Sequence, residues 1–278
     1  MPWEGYIIML VKRKISTNIN AMKFSIAGMF VENRKKLIYL SITMCCFIIF
    51  NILSQEKILL READIIFTLA DEYVLMAHMF SKIVYILPIY LLLLTTSLKN
   101  DTQTQFVIRK RSRSDIWKSD CIVILILAAY ISLLETLIIL MLGIIRNQKV
   151  INWTEEKTIF WIKTGTHMKN EVSIFCVALT FFITTMLTCT LIGMAYLFIK
   201  EIFQNNIITY GICICWGLVE YYSSRKLILN RLSMQFEYWL HKDYKWILCT
   251  IICVSILAYL SRKIVKRRQY YYEGNITI

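Results

Sequence analysis

The sequence predicts an all-α integral membrane protein with six transmembrane helices, an N-terminal amphipathic helix at the membrane interface and both termini in the cytoplasm. Three observations carry that expectation. The 278 residues are 57% hydrophobic and only 18% charged, well below the quarter or so of charged residues usual in a soluble domain. Apolar runs approaching or exceeding the roughly 20 helical residues that cross a bilayer core recur along the chain, separated by short charged islands. The formal net charge of +13 gathers on alternate connections, as it does on the cytoplasmic side of membrane proteins. Eight glycines and two prolines, Pro2 and Pro88, leave little material for a loop-rich β fold.

Taken in order, residues 1–36 open with a short apolar run that Lys12, Arg13 and Lys14 interrupt too early for a secretory signal. Ile15, Ile19, Met22, Ile26, Met29 and Phe30 then recur at three- and four-residue steps, with Thr17, Asn18, Asn20, Lys23 and Ser25 opposite. Between the basic flanks Lys12–Lys14 and Arg34–Lys36, such a helix suits an anionic cytoplasmic leaflet, or a soluble partner. Residues 37–264 are expected to form the six-helix domain and 265–278 a basic cytoplasmic tail. The spans fall at 37–53, 73–98, 121–145, 172–199, 206–222 and 246–261. Pro88 is expected to kink the long second span. The third carries Glu135 alone among charged residues, and the short sixth relies on Lys245 and Arg262 reaching to its two surfaces.

Alternation of six spans sets the orientation. The N-terminal stretch, the 99–120 loop, Lys200 and the C-terminal tail hold 19 of the 32 lysines and arginines, which puts both termini inside. Trp153, Trp161 and Trp239 then lie on outer loops at positions suited to an aromatic belt. Ile228, Leu232, Phe236, Trp239 and Leu240 form a helical stripe before the last span that either lies in the outer interface or packs on its own spans.

Chemistry within the chain is sparsely equipped. All nine cysteines fall in or beside apolar runs without a CxxC pair or a histidine cluster, so they read as small apolar residues and no metal site is expected. His78, His167 and His241 sit in separate segments outside any HExxH pattern, and there is no GxSxG elbow. Glu155 and Glu156 lack the arginine spacing of intramembrane proteases, so the chain is not expected to be an enzyme. None of the glycines is followed by lysine, which excludes a phosphate-cradling P-loop. The chain therefore carries no nucleotide cofactor of its own. The basic excess flanks membrane segments, so nucleic acid is not an expected partner.

Four polar residues inside the spans are candidates for function. Glu135 is an ionisable group near the middle of the third span, where it either serves function or makes a buried helix contact near Ser132 and Thr136. Thr180, Thr184 and Thr188 share one face of the fourth span, extended by Cys176 and Ser173, for close packing or a substrate path. Gly211 with Cys215, and Cys213 with Gly217, show the same spacing in the fifth span and favour packing.

The loop 99–120 contains Arg109, Lys110, Arg111, Arg113 and Lys118, with Phe106, Ile116 and Trp117 as its apolar anchors. These are too few for a core, so they are expected to lean on lipid or on a partner protein. The stretch RKRSRSDIWKSD resembles the first cytoplasmic loop of bacterial ABC type-2 exporter permeases: Arg109, Ser112, Arg113, Trp117 and Ser119 match, while Asp120 stands where a lysine is common. The resemblance implies a coupling segment, Phe106, Arg109, Arg111, Ser112, Arg113, Trp117 and Ser119, docking on a separate ABC ATPase that binds ATP and Mg. It also implies a second permease copy or a sister permease. The Ile-, Lys- and Asn-rich composition looks like that of an AT-rich Gram-positive bacterium. By analogy with small six-span permeases of that kind, which commonly serve peptide export or self-immunity, the resemblance implies outward movement of an amphipathic or antimicrobial peptide, or another lipophilic substrate, across the cell membrane. The reading kept beside it is a non-transporting immunity or sensory protein that binds a peptide at its outer face.

Overall fold

The structure, a computed structural model, describes residues 31, 33–62, 67–98, 113–146, 149–155, 158–168, 172–223, 227–233, 235–241 and 245–273. The amphipathic stretch at 15–30 and the loop at 99–112 lie outside the described residues. Among the described residues ten helical elements follow in order: α1 (Arg34–Glu62), α2 (Leu69–Ala77), α3 (Met79–Ser97), α4 (Arg113–Ile145), α5 (Ile159–Thr164), α6 (Ile174–Phe203), α7 (Asn206–Tyr222), α8 (Ile228–Leu232), α9 (Phe236–His241) and α10 (Lys245–Glu273). Among the described residues there is no β-strand; a parallel bridge joins Thr68 to Lys149.

Five of these helices, α1, α3, α4, α6 and α10, hold segments long and apolar enough to cross a membrane. The expected fifth span corresponds to α7, which has 17 residues, about 26 Å at 1.5 Å per residue and so slightly short of a typical hydrocarbon core. Helix α10 continues past the expected boundary at 264 to Glu273 as one helix.

The second span is not the single helix the sequence suggested. Thr68 and Asp71 form a capping box that starts α2, and the chain breaks at His78, whose ψ of 140° is not helical. Helix α3 then opens as α over Met79–Ser81, widens to a π-helix over Lys82–Ile86 and returns to α over Leu87–Ser97. Pro88, expected to kink the span, explains the widening. Its ring crowds the carbonyl four residues back and it lacks an N–H, so the preceding turn opens and Leu87 N–H donates to the Lys82 carbonyl, five residues back.

Helix α6 is the hub, packed against α4, α10, α7 and α2. Close approach needs Gly193, where a β-carbon would stand 2.5 Å from both Tyr90 Oη and Ile124 Cγ2. In α7 the two small-residue faces differ. Cys213 is buried and Gly217 lies against Leu87 and Ile83, whereas Gly211 meets open space and Cys215 is exposed. Only the first face packs. Helices α1 and α10 are peripheral and turn Ile38, Ile42, Phe50, Leu248, Ile252 and Ile256 outward, an apolar exterior suited to lipid.

One end of the bundle is closed by a cap built from α2, α5, α8, α9 and the connections around them. Trp153 stacks on Phe160 at 5.1 Å between ring centres and meets Trp239 at 5.6 Å and Phe236 at 6.2 Å. Trp153 and Trp239 are therefore buried, and of the three expected belt tryptophans Trp161 alone is exposed. The expected helical stripe at 228–240 is divided into α8 and α9, with the break at Ser233. Leu232, Phe236 and Trp239 from it turn into the cap. The reason in both cases is that aromatic side chains find a more complete apolar environment against each other than at an interface. The opposite end is tied by Trp117 Nε1, which donates to Ser261 Oγ at 2.9 Å, and by Lys200 Nζ, which donates to the Leu98 carbonyl at 2.8 Å.

Candidate functional site

The described bundle concentrates its unpaired polar chemistry where α3, α4 and α6 meet. Lys82 projects from the π-turn of α3 and is 4% exposed; Glu135, on α4, is fully buried. Each lies within electrostatic reach of the other, and Cys189 of α6 of both. No direct ion pair joins them. Among the described residues Lys82 Nζ, both Glu135 carboxylate oxygens, Tyr90 Oη and Thr185 Oγ1 have no hydrogen-bond partner. A cavity of about 20 Å³ between α3 and α6 is lined by Lys82, Tyr90, Thr185, Thr188 and Cys189 with Ile86, Leu87 and Ile192; its walls are almost wholly apolar, and Glu135 does not line it.

Local structure accounts for each placement. Ser81 is held by Asn51 of α1, whose Nδ2 donates to Ser81 Oγ at 2.9 Å. The next residue, Lys82, begins the widened turn and points into the bundle. Ser132 and Thr136, the polar neighbours of Glu135 on its helix, spend their hydroxyls on that helix, donating to the Ala128 and Ser132 carbonyls at 2.7 Å each. The hydroxyls of Thr180, Thr184 and Thr188 do the same, donating to Cys176, Thr180 and Thr184. Thr184 and Thr188 are buried while Thr180 is half-buried. This stripe is a packing face whose polarity is spent internally. Thr185, one step off the stripe, lines the cavity, and its buried hydroxyl has no partner among the described residues.

Of the expected coupling residues, Phe106, Arg109, Arg111 and Ser112 lie outside the described residues. Arg113, Trp117 and Ser119 are not in a separate loop element but in the first turns of α4. Trp117 packs within the chain: besides its bond to Ser261, the Arg262 guanidinium stands 6.0 Å from the centre of its ring. Ser119 is buried, and Lys118 pairs with Asp115 at 3.1 Å on the exposed side.

A second polar cluster lies in the cap. Asp71 accepts from Thr68 N–H at 3.0 Å, from Thr68 Oγ1 at 2.6 Å and from Trp153 Nε1 at 2.9 Å. Burial is the largest influence on this carboxyl and pushes its pKa up to about 6, against the downward pull of those donors. Beside it Arg146 pairs with the buried Glu72 at 3.1 Å. Asp71 and Trp153 fasten the cap to the helix ends.

Sequence reasoning singles out Glu135 and misses Lys82, which sits inside the expected second span. A cation nine residues into an apolar run was the available signal. The described residues contain no cluster of His, Cys, Asp or Glu suited to a metal. No family model, curated protein or solved structure matches the chain.

Proposed function

We propose that the chain is the membrane subunit of an ABC exporter, moving an amphipathic or antimicrobial peptide, or another lipophilic substrate, outward with ATP hydrolysed by a separate subunit. Both termini and the 99–120 segment lie in the cytoplasm, α7 completes six spans, and the permease works with a second copy or a sister permease. The observation that carries the reading is the course of α4. It runs without interruption from Arg113, at the end of the basic segment RKRSR, to Glu135 in the core, about 33 Å at 1.5 Å per residue. A push on that segment by a nucleotide-driven partner is thereby delivered to the polar centre, and through the Trp117–Ser261 bond to α10 as well.

The packed cap favours a second reading. Trp153 is 2% exposed and the aromatic cluster around it closes that end of the bundle, as suits an immunity or sensory protein that meets a peptide at its outer face without ATP. One experiment separates the two. Cells expressing the chain with its ATPase, or with an ATPase disabled in its Walker motif, are loaded with a labelled amphipathic cationic peptide. Export predicts loss of label from the cells only with the active ATPase. Equal protection from added peptide with either ATPase, and no loss of label, sinks the exporter and leaves the immunity reading.

A further inference from the structure

We infer that α10 carries a docking site for an anionic phospholipid, with the phosphate headgroup held by Lys263, Lys266 and Arg267 and the acyl chains lying along Leu248, Ile252, Ile256 and Tyr259 of the same helix face. The inference rests on α10 crossing a membrane and is independent of ATP-driven export.

Helix α10 runs unbroken from Lys245 to Glu273, so the direction in which its side chains point within the apolar part is kept beyond it. Residues three and four apart share a face of a helix, and Leu248, Ile252, Ile256 and Tyr259 follow one another at such steps. All four are exposed. The same steps lead on from Tyr259 to Lys263, and from Lys263 to Lys266 and Arg267, which are exposed as well. The opposite side is packed against α6 and α4. There Thr250, Ser261 and Val265 are buried, and Ser261 Oγ accepts from Trp117 Nε1. One outward strip therefore passes from aliphatic residues through a tyrosine to three cations, the order in which a phospholipid presents its chains, its interface and its phosphate.

Charge selects the anionic headgroup. Among the described residues Lys263, Lys266 and Arg267 have no ion pair, and α10 contains no carboxylate side chain before Glu273. Arg262 is engaged elsewhere, its guanidinium 6.0 Å from the centre of the Trp117 ring. Along the helix Lys263 stands about 6 Å beyond Tyr259 and Lys266 about 10 Å. Those are the heights of the headgroup layer outside the hydrocarbon core, and the long stems of Lys266 and Arg267 reach back toward it. Tyrosine is at home at the boundary between the two, and basic clusters just beyond a membrane helix attract anionic lipid. The cations that open α1 differ: Arg34, Lys35 and Lys36 are consecutive, so they point around their helix instead of continuing one lipid-facing strip.

The test uses the full chain, released from nanodiscs of equal phosphatidylglycerol and phosphatidylcholine and weighed with its bound lipids by native mass spectrometry. The wild type should retain phosphatidylglycerol over phosphatidylcholine; equal retention overturns the site. Lys263→Gln with Lys266→Gln and Arg267→Gln should weaken phosphatidylglycerol binding by on the order of tenfold or more. Arg34→Gln with Lys35→Gln and Lys36→Gln, the same change of charge on α1, should weaken it far less. Equal losses in the two triple variants reduce the effect to bulk charge and overturn the site. Inorganic phosphate in large excess should leave the lipid in place, because the acyl chains hold it too; displacement by phosphate alone contradicts the inference. An α10 triple variant that keeps its phospholipid but loses a protein co-purifying with the wild type makes this face a protein-docking surface and overturns the lipid assignment.

Discussion

Asp71 shows how one side chain sets the stability of the cap. Its folded pKa of about 6 stands above the ordinary carboxylate value of 3.8, so between those values the folded chain holds a proton that the unfolded chain has released. Asp71 therefore favours folding below that window, and its contribution is lost as pH rises toward 6, by on the order of 3 kcal/mol in all. Comparing unfolding at pH 5 and pH 7 should show the wild type losing stability relative to Asp71→Asn on going to the higher pH. An identical pH response in both proteins contradicts the assignment. Residues of this kind are hard to read from sequence. Glu135 is the single charge in its span and Lys82 the single charge within 73–98, but nothing local announces the π-turn from which Lys82 projects. Thr185 was passed over because the four-residue spacing of Thr180, Thr184 and Thr188 drew attention to a stripe whose hydroxyls bond to their own helix.

Helices were legible as apolar runs, and their packing much less so. The spans of α1, α4, α6 and α10 follow directly from hydropathy, while the break at His78 and the division of α8 from α9 depend on cap contacts far away in sequence. Two predictions belong to helix packing. Gly193→Ala pushes a methyl into Tyr90 and Ile124 and should cost about 1–3 kcal/mol as overpacking. Gly211→Ala meets open space and should gain up to about 1 kcal/mol from helix propensity. Unfolding of the two variants side by side checks the difference. At the other end, Trp117→Phe and Ser261→Ala each remove the same hydrogen bond, worth about 1 kcal/mol. Their double variant should therefore lose less stability than the sum of the two. Additive losses would free Trp117 from α10 and return it to a purely external role.

At the scale of the molecule, an apolar exterior on α1 and α10 surrounds a core whose charges are placed at its two ends and at one point between them. Membrane character was visible in composition, and the sealing of the cap was not, since Trp153, Phe160, Phe236 and Trp239 come from separate segments. Cysteines introduced at Ser112 and at Thr154 in a cysteine-free background should react with an impermeant reagent from opposite sides of the membrane; labelling of both in intact cells overturns the topology. Export by this chain requires that the basic segment leading into α4 engage an ATPase. Co-purification of that subunit from native membranes, with ATP hydrolysis measured on the isolated complex, tests it most directly. Wild type and Arg113→Lys should retain the ATPase and its activity, and Arg109→Glu with Arg113→Glu should release it while the bundle stays folded in the membrane. Full retention by the charge-reversed chain, or no ATPase with the wild type, would contradict the account.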